Sequence, residues 1–190
     1  GKKGWLGYPL IEIGMAYQFK GEYDKASDYF TRSLNIFEGL ENKGYIARSQ
    51  LGLGICYYYE GSDNNKDYLK NTLKQFKTIE LLENSLTTMN TMGAEADKLI
   101  LATTFLFLSY NNLEIEYDEN EIHSLLKETE NISYYFLNYA LFQLIEDTSF
   151  LETAYNQVQE KADNLEPDVK LKFLSYPIPK TIIEEWEKVK

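Results

Sequence analysis

The feature that most limits what this chain can fold into is a motif that occurs twice, 40 residues apart. Ile13-Gly14-x2-Tyr17-x3-Gly21 returns as Leu53-Gly54-x2-Tyr57-x3-Gly61. A fixed period of this length is the mark of stacked copies of one supersecondary unit, each too small to bury its apolar face alone. Every part of the motif has a mechanical reason. A missing side chain at Gly14 or Gly54 lets the second helix of a pair approach closely. The tyrosine fills the gap between adjacent pairs, and Gly21 or Gly61 supplies the backbone freedom for a tight interhelical turn. After the first turn, Ala26 and Phe30 stand small then large, four positions apart on one helical face.

The distribution of turn residues argues the same way. No proline lies between Pro9 and Pro167, and ten of the 11 glycines fall at or before Gly61, leaving Gly93 alone beyond it. A sandwich or barrel needs turn signals every ~8–12 positions, and the second half of the chain lacks them. Helices joined by short polar connections remain. From Tyr68 to Met89 the apolar residues Leu69, Leu73, Phe76, Ile79, Leu82, Leu86 and Met89 advance in steps of three and four, one stripe on one helical face. Ile182, Ile183, Trp186 and Val189 do the same near the end. The stretch from Leu99 to Leu108, rich in Thr, Phe and Leu, has a strand-like composition, but its length with its flanks favours a helix buried on most sides. Whether 64–91 is one helix or two stays open.

These residues resemble the tetratricopeptide repeat, whose pattern runs Leu-Gly-x2-Tyr, then Gly, then Ala-x3-Phe. The stretch of about 7–38 follows it, departing at Leu10, where the family often has Trp, and at Glu38, where it often has Pro. The second repeat, from about 46 to 61 onward, follows it in its first helix. After Gly61 the polar run Ser62 to Asp67 breaks the register, and the next helical stretch reads as an insertion. Degenerate pairs are placed at about 98–130 and 133–162, with Ala140 and Ala154 as small positions, and a cap at 167–190. The resemblance implies an all-α fold: a right-handed solenoid of antiparallel helix pairs, about four of them plus a C-terminal capping helix, spanning 1–190 as one domain. Glu166-Pro167-Asp168 should start a helix, and Tyr176-Pro177-Ile178-Pro179 should be extended before the last helix folds back. The order Ala154-Tyr155, Phe173-Leu174, Pro177, Trp186 also resembles the closing segment of the repeat regions in large bacterial-type ATPase, cyclase or kinase signalling proteins.

In tetratricopeptide arrays the first helices line the concave face. Carried over, the resemblance implies a partner-binding row of Tyr8, Ile11, Met15 and Phe19 from the first repeat. Leu51, Ile55, Tyr58 and Tyr59 come from the second. Such an apolar and aromatic row suits an amphipathic helix in a groove, although cover by the chain itself is the competing reading. Some relatives grip a C-terminal carboxylate from these helices. Ile11, Met15 and Gly52 stand at those positions here and have no side-chain donor for a carboxylate.

No constellation for catalysis stands out. Cys56 has no basic neighbour in sequence and reads as a structural cysteine. His123 is the one histidine, beside Ile122, Leu125 and Leu126, and cannot build a multi-histidine metal site. Asp63 to Asp67 has Tyr68 where a calcium loop needs Gly, and Lys74 where it needs the closing Glu. Glu114, Glu116, Asp118, Glu119 and Glu121 read as a polar approach to a helix N-terminus. Asn131-Ile132-Ser133 matches a glycosylation sequon with nothing else pointing to secretion.

A net charge of −11 argues against nucleic acid and anionic membranes as partners. The single cysteine fits a reducing compartment, the cytoplasm, and no apolar run reaches the ~18 residues of a membrane span. The start, Gly1-Lys2-Lys3-Gly4-Trp5, has no signal-peptide layout and reads as a cut end. The expected role is therefore non-catalytic, without cofactor or metal: a binder of a protein or peptide, either an amphipathic helix or a domain of its own polypeptide. It is expected as the regulatory or sensory part of a signalling protein, with a free-standing adaptor or peptide-sensing regulator as the alternative and an enzyme on the helical scaffold as the remote one.

Overall fold

A computed structural model describes residues 4–61, 68–93, 95–110, 118–128, 132 and 134–190. Among the described residues the chain forms ten α-helices and no strand: α1 (Gly4–Phe19), α2 (Tyr23–Glu38), α3 (Lys43–Gly61), α4 (Tyr68–Met92), α5 (Glu95–Tyr110), α6 (Glu119–Glu128), α7 (Tyr135–Ile145), α8 (Thr148–Asp163), α9 (Pro167–Leu174) and α10 (Pro177–Val189). The fold is all-α and built of helix pairs, as the period required. Contacts gather into two compact units, 1–101 and 102–190, with the division falling inside α5.

In the first unit α1 packs on α2, α2 on α3 and α3 on α4. The registers follow from large side chains entering glycine gaps. A methyl placed on Gly7 would come within 2.6 Å of the Phe37 ring, and one on Gly14 within 3.0 Å of the Phe30 ring. Gly7 thus meets the end of α2 and Gly14 its middle, which makes the pair antiparallel. In the same way Gly44 meets Met92 and Gly54 meets Leu82 across α3 and α4, each at 3.0 Å. α1 itself is a poor helix by propensity, with Gly4, Gly7, Pro9 and Gly14 among its 16 residues. Packing stabilises it. Phe30 and Phe37 are each 1% exposed, and burying such a ring contributes about 2–3 kcal/mol.

Gly21 adopts φ +76° in the α1–α2 turn, as the motif demands. Gly61 instead ends α3, and the turn expected of it falls on 62–67, outside the described residues. The calcium-loop candidate at Asp63–Asp67 lies outside them as well. So do Glu114, Glu116 and the Asn131 and Ser133 of the sequon, and the side chains of Leu69, Leu73, Lys74, Phe76 and Ile79.

The second repeat needs correction. Its second helix is not replaced by an insertion, because α4, a single helix, supplies it. Ala26, Phe30, Ser33 and Phe37 are the buried residues of α2. Thr78, Leu82, Ser85 and Met89 of α4 repeat the same steps of four, three and four and are buried to the same degree. The hydroxyls agree: Ser33 Oγ donates to the Gly7 carbonyl at 3.2 Å, and Ser85 Oγ donates to the Ala47 carbonyl at 3.0 Å. Gly7 and Ala47 are themselves related by the 40-residue period.

In the second unit α7 and α8 form a hairpin, and α10 packs on α8 with further contacts to α7 and α9. Asp147 caps α8, its Oδ1 accepting from the Ser149 N–H at 2.9 Å. α8 turns Leu151, Ala154, Val158 and Ala162 inward, each 0% exposed, and α10 meets them with Ile182, Ile183 and Trp186. Trp186 stacks on Tyr155 with ring centroids 5.5 Å apart. α9 begins at Pro167, as expected. The tail differs from its expected extended form. Only Tyr176 is extended, at φ −67° and ψ 149°, while Pro177 opens α10 and Pro179 is buried in its first turn. The first backbone N–H groups of a helix have no intrahelical acceptor, so proline there removes nothing.

Candidate partner-binding face

The eight residues expected to form a binding row belong to the first helices of the two pairs, four on α1 and four on α3. The structure separates them by depth. Ile11 is 5% exposed and shares a core with Ala26, Phe30, Phe37, Leu53 and Cys56. Leu51 is likewise buried, so these two form floor rather than surface. Met15 is half-buried against that core. Phe19, Ile55, Tyr58 and Tyr59 are half-buried. Tyr8 is the most open of the eight at 41% exposed.

The aromatic members are held by other rings. Tyr8 lies edge-on to Tyr45 at 4.2 Å and to Phe37 at 5.5 Å. Tyr59 stacks on Tyr23 of α2 at 5.0 Å, and Tyr58 meets Tyr59 edge-on at 5.2 Å. Offset stacks and edge contacts of this kind add about 0.5–1.5 kcal/mol each beyond burial, so the rings are fixed in place before any partner arrives. Gln18 ties the two first helices together, its Nε2 donating to the Gly52 carbonyl at 3.3 Å and to Cys56 Sγ at 3.6 Å.

Titration favours contact over proton transfer. Burial, and then the neighbouring Tyr59, push the Tyr58 phenol up to about 12. Burial also raises Tyr59, and burial together with Tyr59 and Cys56 raises Tyr23. The Cys56 thiol rises to about 12, chiefly by burial and against the opposing Gln18 hydrogen bond. These groups stay protonated near neutral pH, which suits hydrogen bonding and not general-base or thiolate chemistry. Among the described residues no three His, Cys, Asp or Glu side chains are grouped to hold a metal ion. His123 is exposed on α6. Of the acidic run, Asp118 precedes α6, and its Oδ1 accepts from the Asn120 N–H at 2.9 Å. No described helix is long and apolar enough to cross a membrane.

Sequence reasoning missed the second helix of the second repeat. The signal was present as Thr78-x3-Leu82-x2-Ser85-x3-Met89, small and large residues in the order of Ala26, Phe30, Ser33 and Phe37. It was hidden because Thr and Leu stand where the motif has Ala and Phe.

Antiparallel helix pairs repeated with one register, ring-into-glycine contacts and paired buried serines define a helical-repeat protein. The family model described as tetratricopeptide repeat matches residues 8–64, and that stretch is similar to the tetratricopeptide repeats. A search of curated proteins and a search of solved structures each return no match. Tetratricopeptide repeats generally mediate protein–protein interaction and are typically non-catalytic.

Proposed function

We propose that this chain is a non-catalytic interaction module that binds a protein segment along the first helices of its two clear repeats. The observation that carries this reading is the match of residues 8–64 to tetratricopeptide repeats, in which α1 and α3 are the first helices. Tyr8, Met15, Phe19, Ile55, Tyr58 and Tyr59 would make the contact, over a floor of Ile11 and Leu51. A partner's amphipathic helix is the fitting ligand, since an apolar row on successive turns reads anchors at helical spacing. The order of Tyr155, Phe173, Pro177 and Trp186 in the tail supports placing the module in a larger cytoplasmic signalling protein, as its regulatory or sensory part.

Photocrosslinking tests the face. A benzoylphenylalanine at Met15 or Ile55 should give a partner adduct in source-cell lysate, and one at Asn35, exposed on α2, should not. The Ile55→Glu, Tyr58→Glu variant, with helix content checked by circular dichroism, should lose that adduct. Equal crosslinking from all three positions would remove the assignment.

A further inference from the structure

The interface between α2 and α3 shows what a first helix of this protein asks of the helix that lies on its other side. Tyr23, Phe30, Ser33 and Phe37 of α2 meet Tyr59, Gly52, Ser49 and Tyr45 of α3, in antiparallel order. Tyr23 stacks on Tyr59, and the Phe30 ring sits 2.6 Å from a methyl placed on Gly52. Ser49 Oγ donates to Ser33 Oγ at 3.1 Å, and Phe37 stacks on Tyr45 at 4.7 Å. On α3 the residues under this cover are shielded, with Ser49 and Cys56 0% exposed and Leu53 3%.

The 40-residue period places Trp5, Pro9, Glu12, Ile13 and Ala16 of α1 at the positions of Tyr45, Ser49, Gly52, Leu53 and Cys56. All five are exposed, Trp5 at 80% and Ile13 at 38%. The chain therefore carries the same face twice, once covered and once open. The two differ at one telling place. Where Gly52 makes room for a phenyl ring, α1 has Glu12, the one charged residue in α1. A ring at that height would strand the carboxylate against hydrocarbon, whereas a lysine or arginine would pair with it. Pro9 likewise offers no hydroxyl where Ser49 binds Ser33.

We propose that the outer face of α1 docks an amphipathic helix, antiparallel to α1, that sets one lysine or arginine against Glu12 between apolar residues covering Trp5, Pro9, Ile13 and Ala16. This surface adjoins the row assigned to partner binding, since Glu12 lies one turn from Tyr8 and Met15 and Phe19 stands where Tyr59 meets Tyr23. The occupant is a helix of the α2 kind with its central ring exchanged for a cation.

The test uses the whole chain and a peptide of residues 22–39, stapled between positions 28 and 32, which are exposed on α2. One peptide carries Phe30→Lys and another Phe30→Glu. The chain has two tryptophans, so the indole N–H resonances of Trp5 and Trp186 serve as probe and control. The lysine peptide should move the Trp5 signal saturably and leave Trp186 in place. A Glu12→Lys chain should bind it about tenfold more weakly, and should prefer the glutamate peptide. The proposal falls if no peptide moves Trp5, or if lysine and glutamate peptides act alike on both chains. A Trp5 signal that shifts with chain concentration alone would assign the face to a second copy and overturn it too.

Discussion

A single methyl group tests the packing logic of the first unit. In Gly52→Ala the new Cβ would lie 2.6, 2.6 and 2.7 Å from three carbons of the Phe30 ring. Carbon atoms prefer about 3.5–4.0 Å, so the overlap is close to 1 Å. The ring has little room to retreat, because it is 1% exposed and the same three carbons also border Gly14 of α1. Overpacking of this kind costs about 1–3 kcal/mol, and a ring held between two helices belongs at the upper end. Alanine returns about 1 kcal/mol of helix propensity. The net loss is then about 2 kcal/mol. Gly44→Ala, in the same helix, is the control. Its Cβ would approach the terminal methyl of Met92 at 3.0 Å, but Met92 is 50% exposed and can swing away, so the propensity gain of about 0.5–1 kcal/mol survives. Urea unfolding followed by far-ultraviolet circular dichroism should rank the variants Gly44→Ala, wild type, Gly52→Ala. Adding Phe30→Leu to Gly52→Ala should cost less than the two changes measured separately, by at least about 1 kcal/mol. A Gly52→Ala chain as stable as Gly44→Ala would refute the reasoning.

Cys56, with its thiol pushed up to about 12 from an ordinary 9.0, should resist iodoacetamide at pH 8 in the folded chain and react fully in urea, as mass spectrometry would show. Cys56, Tyr58 and Tyr135 all hold their protons more tightly when folded, so their contribution is intact below pH 9 and is lost as pH rises toward 12. The urea midpoint should accordingly fall between pH 8.5 and 11.5. Ile182→Ala, at a side chain 0% exposed in the core of α8 and α10, should destabilise the second unit by about 2–4 kcal/mol and shift Trp186 emission to lower denaturant.

What could be read in the sequence was whatever depends on periodicity and on residues with one mechanical use. Gly14 and Gly54 announced close approaches, and Gly21 a left-handed turn, because few other residues can serve there. The helices over 99–108 and after Pro167 followed from length and from proline at a helix start. The second helix of the second repeat was obscured, since Thr78 and Leu82 do the work of Ala26 and Phe30 without looking like them. Proline misled at Pro177 and Pro179, where the same ring that breaks a helix interior is harmless in the first turn. Depth within the expected binding row was also beyond reach. Ile11 and Tyr8 look equally apolar on paper, and only the neighbours supplied by α2 and α3 bury one and leave the other at the surface.

Phe30 has a further implication, in the way such a chain can drift. The ring borders Gly14 on one helix and Gly52 on another, so its volume is shared among three sites rather than two. A smaller residue at position 30 opens a void that a methyl at either glycine could begin to fill. A methyl at Gly52 first, with the ring still present, meets a clash, whereas one at Gly14 makes a tight contact. The permitted order of change is therefore one-way at Gly52: the aromatic must shrink before that glycine can grow. Sequences descended from this one should show alanine or serine at 52 only in company with a smaller side chain at 30.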